Sequence, residues 1–106
     1  MVKYAIYHSA RFDKELEKFD NDFKSWLDKI EDQLTENPYA GDSLGVEWFR
    51  EKKHKKFRVY FLVYGNLQSV FMVGISGKKD QQKVINTIRL LMDFFREEIE
   101  KLAKKN

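Results

Sequence analysis

The sequence predicts an α+β fold: an N-terminal strand, a helical hairpin, an antiparallel sheet of three to four strands and a long C-terminal helix. Three patterns predict it. Apolar residues recur at helical spacing between Phe12 and Leu34. A run of aromatic and branched residues spans Phe57 to Tyr64. Helical spacing then returns from Val84 to Leu102. At 106 residues, the chain is read as one domain over 1–106.

Each element follows from local chemistry. Tyr4, Ala5, Ile6 and Tyr7 form a short β-prone opening. Ser9 can cap the helix that carries Phe12, Leu16 and Phe19. Asp20-Asn21-Asp22 reads as a turn and a fresh cap. Phe23, Leu27, Ile30 and Leu34 form the stripe of a second helix, with Trp26 beside it. Asn37-Pro38 ends that helix, because the residue before proline avoids helical backbone. Val46 to Arg50 is read as a strand, followed by the basic run Glu51 to Lys56.

In the next strand Phe57, Val59, Phe61 and Val63 point one way and Arg58, Tyr60, Leu62 and Tyr64 the other. Both sides are largely apolar, so this strand is central. Gly65-Asn66 supplies a turn, Val70 to Ile75 returns as the hairpin partner, and Gly77-Lys78-Lys79-Asp80 leaves the sheet. Asp80 can cap the last helix, which is read over 81–104 and on to Asn106. Its first part would span about 36 Å, enough to overhang a domain of this size.

Composition excludes several classes. There is no cysteine, so disulfides, thiolate nucleophiles and Cys-based zinc sites are out, and the cytoplasm is the expected compartment. No stretch approaches a membrane span, and Met1 to Ala10 lacks a signal-peptide pattern. His8 and His54 lack metal-site spacing, and no phosphate-loop, dinucleotide or nucleophile-elbow motif occurs, so neither metal nor cofactor is expected. Acidic residues fall at solvent-facing helix positions.

Charge is unevenly distributed. Residues 13–36 hold nine acidic residues against four lysines, a net −5, whereas residues 50–58 hold six basic residues against one glutamate, a net +5. Arg50, Lys52, Lys53, Lys55 and Lys56 lie near the start of the central hairpin, and Lys78 and Lys79 lie just past its far end. A hairpin brings those ends together, so one basic cluster is expected. Such a cluster either binds phosphates or keeps the hairpin soluble. Trp48, Phe49 and Phe57 offer surfaces on which bases can stack. Arg58 stands inside an apolar strand and needs a polar partner. It either clamps a phosphate or pairs with Glu47, Glu51 or a helix carboxylate.

These elements resemble the RelE/ParE superfamily of toxins from toxin–antitoxin pairs, with HigB-like features. The resemblance rests on Leu34-Thr35-Glu36-Asn37-Pro38, Trp48-Phe49-Arg50, Phe57-Arg58-Val59-Tyr60-Phe61 and the stretch from Ser69 to Lys79. Gly77 to Lys83 resembles the HigB-like branch. The likeness covers residues 3–90 and lies in the order and spacing of short motifs.

The resemblance implies a ribosome-dependent, metal-independent mRNA endonuclease, in which the RNA's own 2′-OH attacks the phosphate. It maps Arg58 to phosphate stabilisation and Lys79 or Lys78 to the leaving group. Arg50, Lys52 and Lys53 correspond loosely to the family's docking lysines, and Lys55 and Lys56 extend that RNA-binding set. A lysine crowded by cations can act as a base, and His54 can act as one near neutral pH. Several ribosome-dependent members carry a tyrosine after the final basic residue, where Val84 and Ile85 stand here. The alternatives are a ParE-like gyrase inhibitor without nuclease activity and an inactive RNA-binding relative. Implied partners are an antitoxin, the ribosome and mRNA. The long helix can cover the sheet, dimerise the chain or fill the antitoxin's groove.

Overall fold

The structure, a computed structural model, describes residues 2–104. Lys105 and Asn106, onto which the last helix was read, lie outside the described residues. The elements in order are β1 (Ala5–His8), α1 (Ala10–Leu16), α2 (Asn21–Glu36), β2 (Asp42–Ser43), β3 (Phe49–His54), β4 (Phe57–Tyr64), a 3-10 turn (Gly65–Leu67), β5 (Ser69–Gly77), α3 (Gln81–Leu90) and α4 (Met92–Lys104). The five strands lie in the order β1-β5-β4-β3-β2. β1 runs parallel to β5, and the other neighbours are antiparallel.

Of the three caps read from the sequence, those at Ser9 and Asp20 are in place, whereas Asp80 precedes α3 without a side-chain cap bond. Ser9 Oγ accepts the Phe12 N–H at 3.1 Å, and Asp20 Oδ1 accepts the Phe23 N–H at 3.0 Å. The helix carrying Phe12 stops at Leu16, and Phe19 lies in the turn beyond it, stacked on Phe23 at 4.2 Å.

β4 is central and covered on both sides, with its side chains divided as the alternation required. Phe57, Val59, Phe61 and Val63 pack with Phe12, Phe23 and Leu27 under α1 and α2. Tyr60, Leu62 and Tyr64 pack with Phe71, Ile88 and Phe95 under α3 and α4. Tyr60 pairs with Gly74 while Phe61 pairs with Met72, so Val73 is one residue extra in β5. That bulge turns both Val73 and Gly74 toward α3. A Cβ on Gly74 would sit 3.1 Å from Ile88 Cδ1, so glycine is what permits this close helix approach.

The structure adds three particulars. First, Val46 to Trp48 is a turn, and the strand begins at Phe49. Gly41 and Gly45 take φ of 86° and 89°, and the Phe49 N–H donates back to the Val46 carbonyl at 3.3 Å. The basic run is therefore itself strand. Second, the two-residue β2 at the edge is the fourth strand of the antiparallel part, within the three to four expected. Third, the C-terminal helix is broken. Leu91 leaves helical backbone at φ −101°, ψ 13°, and its N–H is shared between the Thr87 and Ile88 carbonyls. Neither glycine nor proline causes this. Continued straight, the helix would be about 36 Å long, longer than the molecule's largest extent of 34 Å. The break lets Ile85, Ile88, Phe95 and Ile99 all bury against one sheet face. Leu90 and Phe94 stay exposed.

Candidate functional site

Strand register assembles the basic cluster. His54 pairs with Phe57 and Phe57 with Gly77, while Lys53 pairs with Arg58 and Arg58 with Ser76. The ends of β3 and β5 and the start of β4 therefore share one edge of the sheet. Lys55 and Lys56 form the turn there, and Lys78 and Lys79 follow β5 directly. Lys53, Lys55, Lys56, Lys78 and Lys79 are exposed. Their summed positive potential attracts polyanions.

The alternation splits the cluster between faces. Lys53 and Arg58 lie on the α3/α4 face with Glu51 and Tyr60. Lys52 and His54 lie on the other. His54 stacks on Trp26 at 4.7 Å and 20°, with Nε2 3.4 Å from Asp22 Oδ2. Lys55 Nζ donates to the same oxygen at 3.2 Å. These bonds from Lys55 and His54 hold Asp22 below the usual carboxylate range. His54 is thus turned away from Arg58, while Lys53 faces it across the ladder.

Arg58 is mostly covered, with 18% of its side chain exposed. Of the partners left open by the sequence, the structure supplies Glu51, whose Oε1 lies 3.9 Å from Arg58 Nε. Glu51 is 5% exposed, and that oxygen accepts no hydrogen bond. The Tyr60 hydroxyl is 2.8 Å from Ser76 Oγ. Burial raises the Tyr60 pKa above its ordinary value, against the Ser76 bond and the Arg58 charge. Glu51, Arg58, Tyr60 and Ser76 form a polar network on an otherwise apolar face.

Arg50 belongs elsewhere. It donates to the carbonyls of Ala40 at 3.2 Å, Glu47 at 2.9 Å and Gly41 at 2.8 Å, and it lies over the Tyr39 ring. It staples the loop ahead of β3 and stands apart from the cluster. Glu51, Tyr60 and Ser76 were not singled out by the sequence as site residues. Glu51 follows Phe49 by two, so strict alternation places it on a buried face. That was the available signal, hidden by its place inside a charged run.

A cleft of about 310 Å³ opens beside Ser76 and Gly77, between α1 and α3, with Arg11, Lys18 and Lys83 on its walls. Glu15 lines it too. Burial raises the Glu15 pKa, against the charges of Arg11 and Lys18. Among the described residues, no group of three or more His, Asp or Glu is arranged to hold a metal ion. None of the described helices is long and apolar enough to cross a membrane.

This architecture is that of the RelE toxins. A free double arginine-to-alanine mutant of E. coli toxin RelE is similar with a TM-score of 0.68 and 21% identity, over 81% of this chain and 93% of that one. RelE in the intact E. coli RelBE toxin–antitoxin complex gives 0.63 and 20%, over 70% and 95%. A RelBE toxin–antitoxin complex from Mycobacterium tuberculosis gives 0.63 and 15%, over 74% and 94%. No protein-family model and no curated protein sequence matches the chain. At these identities the likeness establishes a RelE-like fold.

Proposed function

We propose that this chain is the toxin of a toxin–antitoxin pair and cleaves mRNA on the ribosome. The observation that carries the reading is Arg58: a partly buried guanidinium facing an under-satisfied carboxylate, ringed by exposed lysines, on a RelE-like fold. That is the arrangement a phosphodiester needs. The lysines collect the RNA backbone through counterion release. Arg58 offers planar donors to the phosphate oxygens.

The proposed reaction uses the RNA's own nucleophile. The 2′-oxygen forms a bond to phosphorus and the bond from phosphorus to the 5′-oxygen breaks, leaving a 2′,3′-cyclic phosphate and a 5′-hydroxyl. The 2′-OH proton passes to the amine of Lys53, which faces Arg58 on the same side of the sheet. Lys78 or Lys79 gives a proton to the departing 5′-oxygen. Arg58 stabilises the charge that builds on the phosphorane. Lys55 and Lys56 dock the strand. His54, on the opposite face, belongs to docking rather than to proton transfer. No step requires a metal. The two RelBE neighbours are toxin–antitoxin complexes, which supports an antitoxin as the neutralising partner.

Primer extension on a translated reporter mRNA, with purified ribosomes and this chain, tests the reading. The expected outcome is cuts within A-site codons that vanish without ribosomes. A folded chain that leaves the message intact defeats it. Stalled gyrase–DNA complexes in that case identify the ParE-like alternative.

A further inference from the structure

A buried carboxylate is a costly residue on this face. Glu51 stands between Phe49 and Tyr60, is 5% exposed, and leaves Oε1 without a hydrogen-bond donor. An apolar residue of similar size would pack there without that desolvation cost. Its ion-pair partner is Arg58, its diagonal neighbour across the ladder, at Nε. The Tyr60 hydroxyl lies on the same face, two residues along β4 from Arg58, and is tied to Ser76 of β5. Three strands thus surround one guanidinium.

We propose that Glu51 is a positioning residue for Arg58: it draws the Nε side of the guanidinium toward β3 and so aims the terminal nitrogens at an incoming phosphate. The 3.9 Å separation is an attraction without a closed hydrogen bond. It orients Arg58 and leaves donors available for a second anion. Glu51 does not take the 2′-OH proton, because its unpaired oxygen is closed off from the surface. The Tyr60–Ser76 bond closes the network from the β5 side. The inference rests on the reading of Arg58 as the phosphate-binding group.

The test follows the Arg58 Nε–Hε resonance of the full chain by NMR while inorganic phosphate is added. Wild type is expected to give one narrow signal that phosphate shifts. In Glu51→Gln the signal broadens and phosphate affinity falls about tenfold, the lower end of what loss of an orienting partner costs a binding group. Glu51→Leu, a well-packing control, keeps the melting temperature and loses the same affinity. A signal and an affinity unchanged in both variants overturn the proposal. A second arm uses ribosome-dependent cleavage. Glu51→Gln lowers kcat about tenfold with KM within about twofold, and costs nothing further in an Arg58→Lys background. A loss that persists in that background marks a merely structural carboxylate and overturns positioning. A wild type that binds phosphate as expected yet cuts no RNA, with both Glu51 variants weakened in phosphate binding, overturns the nuclease reading alone and supports the positioning role.

Discussion

Two of the ionic clusters in this small domain are built on opposite terms. At one, His8 of β1 is clamped between two carboxylates. Its Nδ1 is 2.6 Å from Asp13 Oδ1 and its Nε2 is 2.5 Å from Glu31 Oε2. Both ring nitrogens have a partner, and the clamp ties β1 to α1 and α2. At the other, Glu51 and Arg58 face each other at 3.9 Å, and Glu51 Oε1 accepts nothing. A satisfied ion cluster fixes structure. An under-satisfied one holds donors and charge in reserve for a ligand. The contrast separates the part of the molecule that secures the fold from the part assigned here to chemistry.

The largest effect expected from breaking this contrast is at Arg58. Arg58→Ala is expected to lower cleavage about 10²- to 10³-fold, the usual consequence of removing a preorganised donor to a developing anion. Circular dichroism should show a folded protein, because β4 keeps its apolar neighbours, with a lowered melting temperature because Glu51 loses its ion-pair partner. A folded Arg58→Ala protein that still cuts would put the chemistry elsewhere.

The His8 clamp is expected to show the reverse. Burial disfavours the imidazolium, but hydrogen bonds to Glu31 and Asp13, reinforced by their charges, outweigh it and raise His8 above its ordinary 6.5. The sign follows from linkage. A raised folded pKa means the clamp's contribution is fully present below the unfolded pKa and is lost as pH rises through the folded one. Urea melts of wild type against His8→Asn should therefore differ most near pH 5.5 and converge at alkaline pH. The acidic-side gap should be about 1–3 kcal/mol, as for hydrogen bonds to charged groups, with cleavage at neutral pH little changed. A gap that is flat with pH would mean that the pair of short bonds is not a charged clamp.

How much of this was legible depended on whether a feature is periodic or relational. The caps at Ser9 and Asp20, the two sides of β4 and the gathering of Lys53 to Lys56 with Lys78 and Lys79 follow from spacing, because hairpin register is local. The break at Leu91 does not. It has no glycine or proline to announce it and arises from the reach of the sheet that the helix must cover. Val46 to Trp48 carry β-prone side chains, yet two glycines of positive φ bend the chain there and start the strand three residues later. Arg50 looked like one more cation of the basic run, and only the path of the preceding loop shows three carbonyls converging on it. Glu51 was offered by the sequence as one of several partners for Arg58. Its missing hydrogen bond is a fact of three dimensions.

The smallest expected effect concerns the turn that carries the cluster. Lys55 has φ of 56°, in the left-handed region that side chains disfavour. The two-residue connection between His54 and Phe57 imposes it, since tight hairpins need positive φ to match the strand twist. A lysine there is a poor conformational choice, held by an exposed ion pair to Asp22 that contributes little. Lys55→Gly is therefore expected to raise stability by about 0.5–1 kcal/mol, as relief of one strained backbone position. The same change removes one exposed cation, so the salt dependence of binding to a single-stranded RNA should flatten by about 0.7 in log–log slope. On the proposed reading, the lysine stays in this strained position for its charge and not for the turn. If Lys55→Gly stabilises the fold and leaves the salt slope untouched, the turn serves the hairpin alone and the RNA path runs instead along Lys53, Lys78 and Lys79.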